Sequence, residues 1–531
     1  MSLPRARSML RLLAPALLAA GLLGLANCGS SKPDFTIVSG SENESLAPLV
    51  QDFCKRQHMN CAIRYAGSLD IGLSLRPEQT TDADAVWPAS SVWIDMYDSG
   101  RRVHDAKSIY QTPVVLGVRT SKARELGWVG HSVSMNDILR AVDSHRLTFL
   151  MTSATQSNSG ASAYLAMLSA ALGSPDTMTE AQLSNAGAQD RVKRMLRGVA
   201  RSAGSSGWLG ELYRDTAIEG HPYDAMWNYE AILKETNDAL KQHSGTEPLY
   251  AVYPSEGSFF ADAPFGYVSR GQPEKVERFF HQLQDYLLSP EAQAEIARHG
   301  RRIPLGRAPM LPPEPDWNFD PSRLVTAVPP PEPAVISHAL NLYQEALRRP
   351  SLTVLCLDFS GSMEGNGESQ LDEGMNFLFT PARASEALVQ WSPRDKLFVI
   401  PFNDGVIDTM EGTGDPGSQA QLLQNVLSHH ADGGTDMYAC GARALQLMQD
   451  DLKSNTYLPA IVMMTDGRSQ GDADAFINNW RNDGHNVPVF GITFGDADRE
   501  QLDRLARETR ARVFDGKSNL AQAFRSARGY N

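Results

Sequence analysis

Three stretches of this 531-residue chain offer oxygens at spacings that suit a hard divalent cation. The apolar run 352–357 ends at Asp358-Phe359-Ser360-Gly361-Ser362, one carboxylate and two hydroxyls at alternate positions. Asp432-Gly433-Gly434-Thr435-Asp436 and Thr465-Asp466-Gly467 supply the rest, the latter directly after another apolar run. Mg2+ takes six oxygens at about 2.0–2.1 Å and keeps some of its water, so three hydroxyls and water-bridged carboxylates make a sufficient cage. Serine, threonine and aspartate also form turns and helix caps, so an Asp-x-Ser-x-Ser pattern by itself carries little weight. The weight comes from three separated loops offering the same chemistry.

Those loops belong to one alternating series of elements. Residues 352–358, 396–402, 458–465 and 487–494 read as buried strands, and 382–389, 419–428, 439–452 and 500–507 carry apolar residues at helical spacing. Such alternation gives a doubly wound parallel sheet, whose ligands collect outside the carboxyl ends of the strands. The region resembles the von Willebrand factor A domain over about residues 350–531, with all three parts of its metal-ion-dependent adhesion motif in place. The resemblance implies that Ser360, Ser362 and Thr435 touch the metal and that Asp358 and Asp466 hold its waters. It also implies one coordination position open to an acidic side chain of a protein partner. The implied ion is Mg2+, or Mn2+ or Ca2+ in its place.

Residues 34–303 show the strand-then-helix pattern again. Phe35-Thr36-Ile37-Val38-Ser39 breaks at Gly40-Ser41, residues 61–65 precede Gly67-Ser68, and residues 83–87 precede Pro88-Ala89-Ser90. Residues 147–151 lead into a Ser/Thr/Asn-rich loop, 152–160, and a helix at 161–172 whose free amides suit an anion or a polar ligand group. Strand-end loops are where such a sheet binds. The expected solute contacts are therefore Ser41, Ser68, Ser90 and Ser159, with Trp227, Asn228 and Tyr253 from later loops.

This half resembles the extracellular solute-binding proteins of ABC importers, the two-lobed kind related to molybdate binders. Residues 253–267, with Pro264-Phe265-Gly266-Tyr267, and the helix-pair stretch 279–301 carry the likeness. The resemblance implies two lobes hinged over a cleft for a small solute, with crossing strands near 114–118 and 265–268. Glu42, Asp70, Asp95, Glu230 and Glu256 fall in the expected cleft loops, and clustered like charge disfavours a bare oxyanion. Taken singly, each acid reads as a solvated surface residue.

The first residues have the layout of a secretory signal. Arg5, Arg7 and Arg11 precede the apolar segment 12–26, which at fifteen residues is too short to span a bilayer. The segment closes on Leu25-Ala26-Asn27-Cys28, similar to the lipobox of bacterial lipoproteins, with Asn27 where a small residue is usual. That likeness implies acylation at Cys28, and several acyl chains give lasting attachment where one does not. In an exported chain Cys54 and Cys61 are close enough for a local disulfide. Cys356 and Cys440 sit in apolar surroundings and read as core packing.

The expected organisation is a lipoprotein signal at 1–27, a tether at 28–33 and a solute-binding-like domain at 34–303. A proline-rich linker with a helix follows at 304–349, then the von Willebrand factor A domain at 350–531. In fold class this is α/β, a two-lobed periplasmic-binding-protein-like domain followed by a doubly wound Rossmann-like one. The order of parts is similar to bacterial proteins that fuse these two domains. Trp317 and Phe319 in the linker suggest a strap over a surface, because aromatic residues seldom sit freely in solvent.

A net charge of -13, or -16 once the signal arginines leave, and the absence of a basic block exclude nucleic acid as an expected partner. The expectation is a non-enzymatic, membrane-tethered protein of the cell envelope, facing the periplasm or the exterior. Its metal site grips an acidic residue of a protein partner, and its first domain senses or captures a small solute. The alternatives are the capture component of an ABC importer and a serine hydrolase. For the hydrolase, Gly467-Arg468-Ser469-Gln470-Gly471 satisfies the nucleophile-elbow pattern. However, Thr465-Asp466 already ends the strand, and His485 follows with no evident acid between.

Overall fold

The computed structural model describes residues 32–304, 306, 309–483, 487–493, 499–517 and 520–528. The signal segment and Cys28 lie outside the described residues. The described residues form three sheets. In the first lobe, β1 (Phe35–Gly40), β2 (Cys61–Ala66), β3 (Ala85–Trp87) and β4 (Val103–Ser108) combine with a late strand, β11 (Pro264–Val268), in the order β2-β1-β3-β11-β4. β1 pairs in parallel with β2 and β3, while β11 runs antiparallel to β3 and β4.

The chain leaves this lobe at residues 109–111 and returns at 262–263. Between the two crossings lie β5 (Thr112–Arg119), β6 (Phe149–Thr152), β7 (Val199–Ala203), β8 (Ala225–Tyr229), β9 (Leu249–Val252) and β10 (Phe260–Ala261). They form the second sheet, in the order β10-β5-β8-β6-β7 with β9 beside β5. The helix Asn158–Ala171 is buried along nearly its whole length, which explains why its sequence is apolar and small-residue-rich all round instead of striped.

The third sheet orders β12 (Ser351–Asp358), β13 (Lys396–Phe402), β14 (Met410–Thr413), β15 (Leu458–Thr465), β16 (Val489–Thr493) and β17 (Val513–Asp515) as β14-β13-β12-β15-β16-β17. All neighbours are parallel except β13 and β14. Every residue of β12 is buried, as an apolar strand covered on both faces requires.

The proline-rich segment is packed. Trp317 and Phe319 are each 1 % exposed and stack at 4.7 Å, Asn318 donates to the Ala251 carbonyl, and Val328 N–H donates to the Ser258 carbonyl. It straps the second lobe. The helix Pro333–Leu342 then runs beneath that lobe, where the Tyr164 hydroxyl donates to the Ala339 carbonyl and the Tyr164 and Tyr343 rings lie 5.0 Å apart. One continuous apolar core therefore extends from Leu168 and Trp227 of the second lobe through Ile336 and Leu340 to Leu355 and Leu357 on β12.

Cys54 and Cys61 are joined by a disulfide from the end of the helix Ala47–Arg56 to the start of β2. Cys356 and Cys440 are disulfide-bonded as well, which corrects the expectation of simple packing. β12 and the helix Met437–Lys453 lie side by side, and both cysteines are fully buried between them. A contact 84 residues apart in sequence leaves no trace in local periodicity.

Candidate metal centre and lobe junction

The three oxygen-bearing loops meet at the carboxyl ends of β12 and β15, beside the switch in strand order. Ser360 Oγ lies 3.1 Å from Ser362 Oγ, and Ser362 Oγ donates to Asp466 Oδ1 at 2.8 Å. A Cβ placed on Gly467 would stand 3.2 Å from Thr435 Oγ1 and 3.3 Å from Ser362 Oγ, so both hydroxyls face one gap beside that glycine. Two oxygens bound at right angles to one Mg2+ are about 2.9 Å apart. Three hydroxyls and two carboxylates, with no nitrogen or sulfur, fit a hard cation.

The supporting bonds fix these groups. Asp358 is fully buried, accepts from Ser360 N–H at 2.8 Å on one oxygen and from the Thr465 hydroxyl at 2.5 Å on the other. Burial raises its pKa above the ordinary carboxylate value, against the pull of those two donors, and the Asp466 charge adds to the rise. Gly361 N–H donates to the Gly433 carbonyl at 3.0 Å, which ties the second loop to the first. Gly433 has φ +78°, a conformation that costs glycine little. Asp436 caps the helix Met437–Lys453 at the Tyr438 and Ala439 amides. Asp404, beside Gly433 and Gly434, is an acid of this rim that sequence reasoning missed, because the loop after β13 matches no motif.

At the junction of the two lobes, backbone meets backbone. Gly207 N–H donates to Ser41 Oγ at 2.8 Å and Leu69 N–H to the Gln156 carbonyl at 3.1 Å. A Cβ on Gly67 would lie 2.2 Å from the Gln156 carbonyl oxygen, so glycine is the residue that permits this approach. Ser159 is fully buried, and its hydroxyl lies 2.8 Å from those of Thr152 and Ser206. Asn228 Nδ2 donates to the Ser206 carbonyl, and the Trp93 indole N–H of the first lobe donates to Asn158 Oδ1.

The other expected contacts are placed differently. Ser68 and Ser90 accept from the Ala89 and Val92 amides and cap local backbone. Trp227 points away from Asn228, as neighbours on a strand must, and packs against Phe149 in the second-lobe core. Tyr253 donates to Glu230 at 2.5 Å, in a cluster with Arg302. These two side chains pair within the second lobe and not with the junction hydroxyls. Three of the five acids depart from the solvated-surface expectation. Glu230 is fully buried and paired with Arg302, Asp70 is paired with Arg525 at 2.5 Å, and Glu42 is 4 % exposed.

The profile of the bacterial extracellular solute-binding proteins matches residues 36–302, half of the chain. The chain belongs to that family. The profile of the von Willebrand factor type A domain matches residues 354–526, so the solute-binding domain is followed by an A domain. No curated protein matches the chain. Solved structures similar to it include the sulfate-binding protein SubI from Mycobacterium tuberculosis H37Rv, at 16% identity and TM-score 0.39, covering 51% of this chain and 87% of that one. The ferric binding protein from Campylobacter jejuni matches at 12% identity and TM-score 0.41, covering 58% and 98% respectively. A von Willebrand factor type A protein from Catenulispora acidiphila matches at 18% identity and TM-score 0.28, covering 35% and 43%.

In the solute-binding domain Glu42 stands out. Burial raises its pKa to about 7, against smaller opposing effects of its own backbone amide and Arg301, and its Oε1 has no hydrogen-bond partner. A carboxyl that holds its proton to about pH 7 when folded but ionises near 4.5 when unfolded loses stability as pH rises between those values. At about 1.4 kcal/mol per pH unit, the loss is on the order of 3 kcal/mol. Glu42→Gln is therefore expected to gain stability over the parent above pH 7 and to match it below pH 4.5. Urea denaturation at pH 4.5, 6 and 8 checks this, and a difference constant across the series would refute it.

In the A domain, Ser469 is 5 % exposed and its Oγ accepts from the Met437 amide at 3.2 Å and the Gly471 amide at 3.4 Å. It is occupied in holding the turn. His485 lies outside the described residues.

Proposed function

We propose that this protein is a membrane-tethered, non-enzymatic binding protein of the cell envelope. In this reading Ser360, Ser362 and Thr435 hold a divalent cation directly, and Asp358 and Asp466 hold its waters. The cation supplies Lewis acidity for one carboxylate from a partner protein. The observation that carries the reading is the chain of neighbours Ser360, Ser362 and Asp466 at the ends of β12 and β15, with the hydroxyls of Ser362 and Thr435 both beside Gly467. The cation is Mg2+, or Mn2+ or Ca2+ in its place, since all three take oxygen ligands.

The solute-binding domain is the sensing or capturing part. Its junction groups already pair with one another, so the reading puts the partner-binding role on the A domain and not on import. Attachment through acylated Cys28 and a cell-envelope location facing the periplasm or exterior complete the proposal. Support comes from the signal-like first residues and from two disulfides, which persist in oxidising compartments. No helix of the described residues is long and apolar enough to cross a membrane. The test is a crosslinked pull-down from the envelope fraction with Mg2+ and with EDTA. Capture that EDTA leaves unchanged would rule out adhesion through this site.

A further inference from the structure

At the end of the A domain opposite the metal loops, where β12, β13 and β15 begin, a cavity of about 1020 Å3 separates this domain from the second lobe. Its lining holds seven arginine and lysine side chains and three carboxylates, in a chain whose net charge is -13. Three of the cations are neutralised: Arg194 by Asp143, Arg348 by Asp395, and Lys396 by Asp451 and Glu411. Among the described residues no carboxylate stands at ion-pair distance from the other four, Lys193, Arg197, Arg349 and Arg394.

Two of these four are committed to backbone carbonyls. Arg349, 8 % exposed, donates to the Val199 carbonyl at 2.7 Å and the Thr456 carbonyl at 3.1 Å, and burial lowers its pKa to about 10. Arg394 donates to the Ala346 and Arg348 carbonyls at 2.7 and 2.8 Å. Carbonyl dipoles orient these guanidinium groups without cancelling their charge. The Nε of buried Arg348 has no acceptor either. Lys193 and Arg197 face them from the C-terminal end of the helix Ala186–Leu196. Cations without an ion-pair partner on both walls of a partly enclosed space repel one another, with Asp395 offsetting only the charge of Arg394 in part. A counter-charge of several units between them relieves that repulsion.

We propose that this interdomain cavity is a binding site for a small oligophosphate. Guanidinium forks match phosphate oxygens in pairs, and lysine adds a point charge, so a ligand with several phosphate charges engages both walls where a single monoanion reaches one. Such a ligand joins the second lobe to the A domain without touching either the metal loops or the lobe junction.

The test uses the mature full-length protein in metal-free buffer with EDTA, so that the metal site contributes nothing. Calorimetric titration with inorganic tripolyphosphate is expected to give saturable binding and a rise in melting temperature. Orthophosphate and sulfate at equal ionic strength should bind at least tenfold more weakly. Lys193→Glu with Arg197→Glu alters two side chains at the cavity edge and should lower tripolyphosphate affinity at least tenfold while the circular dichroism spectrum stays unchanged. The proposal falls if tripolyphosphate acts no differently from chloride at equal ionic strength, or if the double variant binds it as well as the parent. It also falls if only vesicles containing phosphatidylglycerol bind.

Discussion

Thr435→Ala is expected to reduce Mg2+ or Mn2+ affinity by about 100-fold or more, since loss of an outer-shell group alone costs 10–100-fold in metal sites. Divalent-dependent capture of the partner should disappear with it. Thr435 sits on the loop tied to the first metal loop through Gly361 and Gly433, so the backbone arrangement does not depend on its hydroxyl. Asp358→Ala should abolish metal binding too, but it also removes the acceptor for Ser360 N–H and the Thr465 hydroxyl. The threonine variant is therefore the cleaner measurement. Titration of Mn2+ followed by electron paramagnetic resonance reads affinity directly, and equal Mn2+ binding by parent and Thr435→Ala would remove this residue from the ligand set.

Arg525→Met should lower stability by about 3–5 kcal/mol, the cost of leaving a buried charge without its partner. Arg525 is 2 % exposed on the helix Leu520–Arg528 of the A domain. Its Nε donates to Asp70 of the first lobe at 2.5 Å and its Nη2 to the Thr155 carbonyl of the second at 2.7 Å, while its own carbonyl accepts from Gln156. One guanidinium thus spans both lobes. Burial raises the Asp70 pKa, and Arg525 opposes the rise, so the substitution leaves an acid that must take up a proton to stay buried. Asp70→Asn with Arg525→Met should recover part of the loss, as a double-mutant cycle for a coupled pair requires. Scanning calorimetry should show one transition in the parent and a lower, split transition in Arg525→Met. A melting profile unchanged by the substitution would show that the contact contributes nothing to holding the domains together.

Much of the architecture was legible along the chain. The apolar runs that became β12, β13 and β15 are buried parallel strands with oxygens at their ends, because a strand covered on both faces must be apolar and its loop is where polar groups can gather. Ser360, Ser362 and Asp466 could be named because motif spacing and strand ends are local properties. Asp404 could not, since its place beside Gly433 depends on how two loops fold together. Alternation along β8 requires Trp227 and Asn228 to face opposite ways, so Asn228 alone of the two bonds at the junction while Trp227 packs against Phe149.

By itself the sequence determined the order of domains, the strand and helix series of each, and which loops carry clustered hydroxyls and carboxylates, all of which follow from short-range pattern and residue chemistry. Only the tertiary structure decided the Cys356–Cys440 bond, the burial of Glu42, the span of Arg525 from Asp70 to Thr155 and the cation-lined cavity. Each of these joins residues far apart in the chain, and their meeting is set by how surfaces pack, which no local periodicity encodes.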